Sequence, residues 1–310
     1  MERRTIEELN LLDDFLFQET ISRQEQGEEV CRILLSTILG KTIRKVRIIP
    51  QKPVLGMDTT KHGIRMDAYI EDVSQLDEGA EVFGHKAIDA EISDVDVVDD
   101  AGKPDIYDME PNQMYAKNSL PKRTRYYQAL IDAKLLDAGN DYTNLRNVVI
   151  IMILPYDPFG QNRMVYTISN HCDEDQTVIY EDGMKKIYLY TKGTEGNPSQ
   201  ELREMLQYME RSIDDNVRNQ DIAAIHNIIS EVKHDREVGV NYMKSWEREE
   251  MIREQGLEQG LEQGLEQGMA QGIVRTCISL HVTEEQTIRR LVEELNISED
   301  NAKSILGQYK

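Results

Sequence analysis

The spacing of hydrophobic positions divides the chain into four regions. Near the start, "EEVCRILLSTILG" places Val30, Ile33, Leu34, Thr37 and Ile38 on one helical face and stops at Gly40, a residue suited to a C-terminal cap. Residues 42–170 read as strands around one helix. "RKVRIIP" and "GIRMDAYIED" are short and alternating, "NVVIIMILP" is a continuous apolar run, and "RMVYTISN" follows it. The apolar run predicts a strand buried on both faces of a sheet. From Ser199 the helical period returns and continues through "SWEREEMIREQ". The chain then repeats every four residues in "GLEQGLEQGLEQGMAQG" and ends in two short helical patterns that open on Thr283 and Ser298.

Within the strands, alternation assigns faces. Arg65, Asp67 and Tyr69 share one side, opposite Ile64, Met66, Ala68 and Ile70; in "DIYDMEP", Glu110 shares a side with Asp108 and Ile106. Adjacent strands that set Asp67 beside Glu110 would make a two-carboxylate site of the kind that suits Mg²⁺ or Mn²⁺. The alternative is a pair of solvated strand ends, ordinary in so acidic a chain. The helix that follows is approached by Lys117, Lys122, Arg123 and Arg125, the clearest basic cluster in the sequence, which a phosphate would favour. Tyr126 and Tyr127 are expected to pack in the core or behind the site.

Composition narrows the picture. The 310 residues hold 57 acidic and 36 basic side chains, a net charge of −21, which argues against a general nucleic-acid coat protein but leaves room for a local basic groove. No run of 18 apolar residues occurs, and "MERRTIEELN" lacks the apolar centre of a signal peptide, so no membrane association is expected. Cys31, Cys172 and Cys277 are too scattered for a zinc site and fit a reducing cytoplasm.

The motifs "LLDDFLFQ", "EEVCRILLSTILG", "GIRMDAY", "YDMEPNQ", "LPKRTRYYQALID" and "VVIIMILPYDPFG", with the Gly-Leu-Glu-Gln repeat, resemble in order and spacing the PD-(D/E)XK nuclease family transposases, the recombination-promoting nuclease group. The resemblance implies an α/β fold: a restriction-endonuclease-like core with a mixed central sheet flanked by helices, and a helical C-terminal region. It implies Asp67 and Glu110 as ligands of Mg²⁺ (or Mn²⁺), with Glu29 as a further acid from the first helix. Two features depart from the family pattern. Asn112 stands where Lys or Gln is usual, so Gln113, Lys122 or Gln128 must serve; and 43 positions separate Asp67 from Glu110, where a short hairpin is expected.

The domains expected are a core over 1–198 with an acidic insertion at about 73–104, a helical extension over 199–250, the repeat over 251–273 as helix or linker, and a helical hairpin over 274–310. The insertion is expected to lie outside the sheet and to repel DNA. The implied activity is metal-dependent DNA endonuclease chemistry linked to recombination or transposition in an intracellular bacterial setting. Asp67 and Glu110 would hold the ion and Gln113 would orient water or phosphate, with Lys122, Arg123, Arg125 and Gln128 facing the substrate. The alternative is a degenerate nuclease fold serving as an oligomeric DNA-binding or regulatory module; a third reading is action on RNA. A homodimer through the repeat is the partner expectation, since glycines at every fourth position cost about 1 kcal/mol each in an isolated helix.

Overall fold

A computed structural model describes residues 4–54, 64–74, 104–113, 119–136 and 139–308. The chain forms two compact units, Met1–Gly239 and Val240–Lys310. The expected insertion lies almost wholly outside the described residues, as does Lys117.

The first unit is α/β. Helices α1 (Asp14–Ile21) and α2 (Gln24–Leu39) precede strands β1 (Val46–Val54), β2 (Ile64–Asp72) and β3 (Ile106–Pro111). Then come α3 (Leu120–Leu135), β4 (Val148–Leu154), β5 (Val165–Ile168), β6 (Met184–Tyr190), α4 (Gln200–Glu210) and α5 (Gln220–His234). The strands make one mixed sheet in the order β1-β2-β3-β4-β6-β5. β3 and β6 both run parallel to β4, and the remaining pairs are antiparallel. β4 is the apolar run, and all seven of its residues are buried, as its continuous hydrophobicity predicts for a central strand.

The sheet extends beyond the expected range. β6 slips between β4 and β5, and its sequence, "MKKIYLY", carries two lysines in its first half that weaken the hydrophobic signal.

Gly40 closes α2 in the left-handed conformation, φ 62°, as expected for a cap. A tight α1–α2 corner is possible because residue 27 is glycine. A Cβ there would lie 2.3 Å from the Ile21 carbonyl oxygen.

One side of the sheet carries Tyr69, Ile106, Ile150, Met152 and Tyr188, packed with Leu120, Tyr127, Leu130 and Ile131 of α3. On the other side of β3, the Tyr107 hydroxyl accepts from Lys41, just past α2, at 3.1 Å. Contrary to the expected boundary at 198, α4 and α5 belong to the first unit. The Leu12 amide donates to the Met209 carbonyl at 3.1 Å, and the Leu11 amide donates to the Ser212 hydroxyl at 2.9 Å. The amphipathic faces of these helices are what bury them there: Leu202, Met205, Leu206 and Met209 on α4, and Ile222, Ile225 and Ile229 on α5.

α6 (Arg236–Ser279) begins in the first unit and continues through the second. The Gly-Leu-Glu-Gln repeat is therefore helical rather than an irregular linker. Leu257, Leu261 and Leu265 are 74%, 74% and 65% exposed, and a Cβ built on Gly256, Gly260, Gly264, Gly268 or Gly272 meets nothing within 4 Å. α7 (Glu284–Leu295) and α8 (Glu299–Gln308) close the chain, with amides of their first turns donating to the Thr283 and Ser298 hydroxyls as the capping pattern predicts. Ala270, Val274, Leu291, Ala302 and Leu306 form their small core. Among the described residues no helix is long and apolar enough to cross a membrane.

Candidate functional site

The register of β2 on β3 pairs Tyr69 with Asp108 and Ala68 with Met109. One further step along the same antiparallel register faces Asp67 with Glu110, on the side of the sheet that carries Asp108. The alternation read from the sequence thus brings three acids together on adjacent strands. β3 is buried along its whole length, so Asp108 is 0% and Glu110 1% exposed, while Asp67 is partly exposed.

The environment of these carboxyls is unbalanced. Both oxygens of Asp108 and Oε1 of Glu110 are buried with no hydrogen-bond partner among the described residues. Oε2 of Glu110 accepts from Arg123 Nη2 at 2.7 Å, and the same guanidinium donates Nε–H to the Tyr127 hydroxyl one turn on, at 2.9 Å. Burial, then the charge of Asp67, raises the Asp108 carboxyl well above the usual range. Burial and the Asp108 charge raise Glu110 against the pull of Arg123. Asp67 is pushed up to about 6, first by burial and then by the charge of Asp14, with Arg123 and Arg65 opposing. A buried acid cluster of this kind either holds protons or is neutralised by a cation.

α1 enters through its first turn. Asp13 at the N-cap accepts from Gln113 Nε2 at 2.7 Å and from the Asn10 amide at 2.7 Å, and pairs with Arg4. Gln113 also donates to the Leu12 carbonyl at 3.1 Å. Gln113 is therefore turned to the start of α1 and ties β3 to that helix, a positioning role in place of the expected contact with water or phosphate. Asp14, the first helical residue, acts electrostatically on both Asp67 and Glu110.

The other expected residues divide. Arg123 reaches the acids. Lys122 and Arg125 are exposed on α3. Gln128 donates to the two Asp132 oxygens at 3.0 and 3.1 Å, which directs its amide along its own helix. Glu29 is held by Arg32 at 2.7 and 2.6 Å, an i,i+3 pair on α2, and Asp14 of α1 is a helical acid that acts electrostatically on the strand carboxyls. The sequence signals for the missed residues were slight. Asp108 stands two positions before Glu110 on its face, and Asp14 lies within "LLDDFLFQ".

Tyr127 is buried behind Arg123, as expected. Tyr126 is 38% exposed.

Among the described residues no three His, Cys, Asp or Glu side chains converge as a complete metal-ligand set. The donors fit a hard divalent ion held by one or two carboxylates and water rather than by an all-protein cage, because the unpartnered oxygens belong to carboxylates. No family model, no curated protein and no solved structure matches the chain.

Proposed function

We propose that the chain is a metal-dependent endonuclease that hydrolyses DNA phosphodiester bonds, built on a restriction-endonuclease-like core and linked to recombination or transposition. The observation that carries this reading is the set of buried carboxylate oxygens without partners on Asp108 and Glu110, one register step from Asp67. Asp67 and Glu110 are the ligands assigned to Mg²⁺ or Mn²⁺, with Asp108 two positions from Glu110 on the same face of β3. Such an ion, when bound, polarises the phosphoryl oxygen and lowers the pKa of a coordinated water.

Arg123 neutralises Glu110 and, partly exposed at the start of α3, is placed to pair with a phosphate oxygen. Tyr127 fixes the plane of that guanidinium. Gln113 holds the start of α1, and with it Asp14, against the strand ends. Supercoiled plasmid incubated with the protein, with and without Mg²⁺ or Mn²⁺, tests the reading. Nicking that needs the ion and is lost in Asp67→Asn and Glu110→Gln is expected. Intact plasmid under all conditions overturns it.

The second reading, a catalytically degenerate fold that binds DNA or regulates, is favoured by one observation. Gln113 faces α1, so among the described residues no lysine or glutamine of the motif approaches the acids.

A further inference from the structure

A second cluster of charge lies on the same side of β2, at its far end. Glu71 is 5% exposed, and both its oxygens are occupied. Oε2 accepts from Arg47 Nε at 2.8 Å; Oε1 accepts from Arg146 Nη1 at 2.9 Å and from the Tyr69 hydroxyl at 3.1 Å. Arg146 donates its Nε–H to the Pro104 carbonyl at 2.8 Å, and its Nη2 is buried with no partner among the described residues.

Lys52 joins this group from β1. Gln51, held at φ 50°, interrupts the alternation of that strand, and the Lys52 ammonium sits 3.4 Å from the centre of the Tyr69 ring. Burial lowers its pKa to about 8, with Arg146 and Arg47 adding to the effect and Glu71 opposing it. Three cations thus surround one carboxylate whose oxygens are already used. In a chain of net charge −21 this is a local positive surplus; Arg47 is half exposed and Lys52 partly exposed, while Arg146 is largely buried.

Position gives the surplus a direction. At about 3.3 Å per residue, Tyr69 lies about 7 Å and Glu71 about 13 Å from Asp67 along β2. Tyr69 itself is buried, but β1 is the edge strand of the sheet, so a phosphodiester strand passing from Asp67 to that edge would bring a neighbouring phosphate to Lys52 and Arg47. We infer that Lys52 and Arg47, with the charge of Arg146 behind them, form a phosphate-binding site that holds a nucleic-acid strand next to Asp67. The inference rests on the proposed function for the choice of ligand, while the cationic surplus stands independently of it.

The test separates the two. Binding of a fluorescein-labelled DNA duplex to the full chain is followed by anisotropy in EDTA, where no cleavage interferes, across a series of salt concentrations. Lys52→Met keeps the aliphatic stem over Tyr69 and removes the charge; Lys52→Gln is the second variant should Met alter the unfolding temperature. The expected result is roughly tenfold weaker binding at low salt and a salt slope reduced by about 1. Unchanged affinity and slope overturn the site, as does a wild type that does not bind the duplex at any salt concentration. Inorganic phosphate that raises the wild-type unfolding temperature as far as duplex does, at equal phosphate concentration, overturns the strand assignment. Lys52-dependent binding without metal-dependent cleavage removes the nuclease and leaves the site. Cleavage with Lys52-independent binding removes the site and leaves the nuclease.

Discussion

Replacing Asp67 with asparagine in metal-free buffer is expected to stabilise the protein, and the size of the gain follows from its surroundings. The carboxyl is lifted from 3.8 to about 6 by burial and by Asp14. At about 1.4 kcal/mol per tenfold in proton affinity, ionising it in the folded chain costs about 3 kcal/mol more than in the unfolded chain. The sign follows from linkage. The folded state binds this proton more tightly, so the contribution of this carboxyl to stability is fully present below pH 4 and is lost as pH rises through about 6. Asparagine matches the shape and carries no charge. The variant should therefore exceed wild type by up to about 3 kcal/mol at pH 8, with the difference closing near pH 4.

For a unit of this size that is roughly 6–12 °C in unfolding temperature at pH 8. Thermal unfolding followed by circular dichroism in EDTA, at pH 4 and pH 8, reads both values. A variant no more stable than wild type at pH 8, or an advantage that persists undiminished at pH 4, refutes the placement of Asp67 among buried acids. Adding Mg²⁺ at pH 8 should then raise the wild-type temperature and leave Asp67→Asn nearly unmoved.

Arg123→Gln should destabilise at pH 8 by about 2–4 kcal/mol and less at pH 5, because it removes the guanidinium that offsets buried Glu110; urea unfolding at the two pH values checks the difference. Gly27→Ala should cost about 1–3 kcal/mol or more, since its Cβ would strike the Ile21 backbone, and denaturant unfolding measures it. Gly260→Ala should instead add about 1 kcal/mol of helix stability in a chain without a partner at that face, while a paired helix would be disrupted; sedimentation with thermal unfolding distinguishes the two outcomes.

Much of the sheet was legible because periodicity reports burial directly. The β4 run follows from its continuous hydrophobicity, and alternation assigned Asp67 and Glu110 to a face of their own strands; that the two strands pair, and in this register, came from the structure. The α6 helix is the opposite case: glycine every fourth residue allows either helix or linker by propensity, and the choice rests on context outside the local sequence. Gln113 shows a further limit. Its offset from Glu110 points it away from the carboxylates, as a one-residue slip should, but its actual partners, Leu12 and Asp13, lie about 100 positions earlier in the chain. Glu29 differs in kind: its partner, Arg32, lies one turn along the same helix, a local contact that says nothing of the sheet. The cationic surplus around Glu71 was invisible for want of any short motif. Arg47, Lys52 and Arg146 come from β1 and from the approach to β4, and only tertiary structure assembles them.

Charge balance is what separates the two functional readings. Asp67, Asp108 and Glu110 present three carboxyls, and Arg123 is the cation that touches them. The deficit can be met by protons, which the raised carboxyls accept at the cost of losing their ligand character, or by a divalent ion, which needs the carboxyls ionised. The two solutions exclude each other at any one carboxyl, so a protein that keeps its protons at pH 8 is a poor metal site, and one that binds metal must release them. Arg123 weighs on the same balance, since its bond to Glu110 occupies an oxygen that a metal ion would use. The acid cluster is thus too costly to be explained as packing alone, because aliphatic residues would fill β3 at no electrostatic expense. On the nuclease proposal the acids are kept because they can take up a cation beside Asp67, the one partly exposed carboxyl of the three.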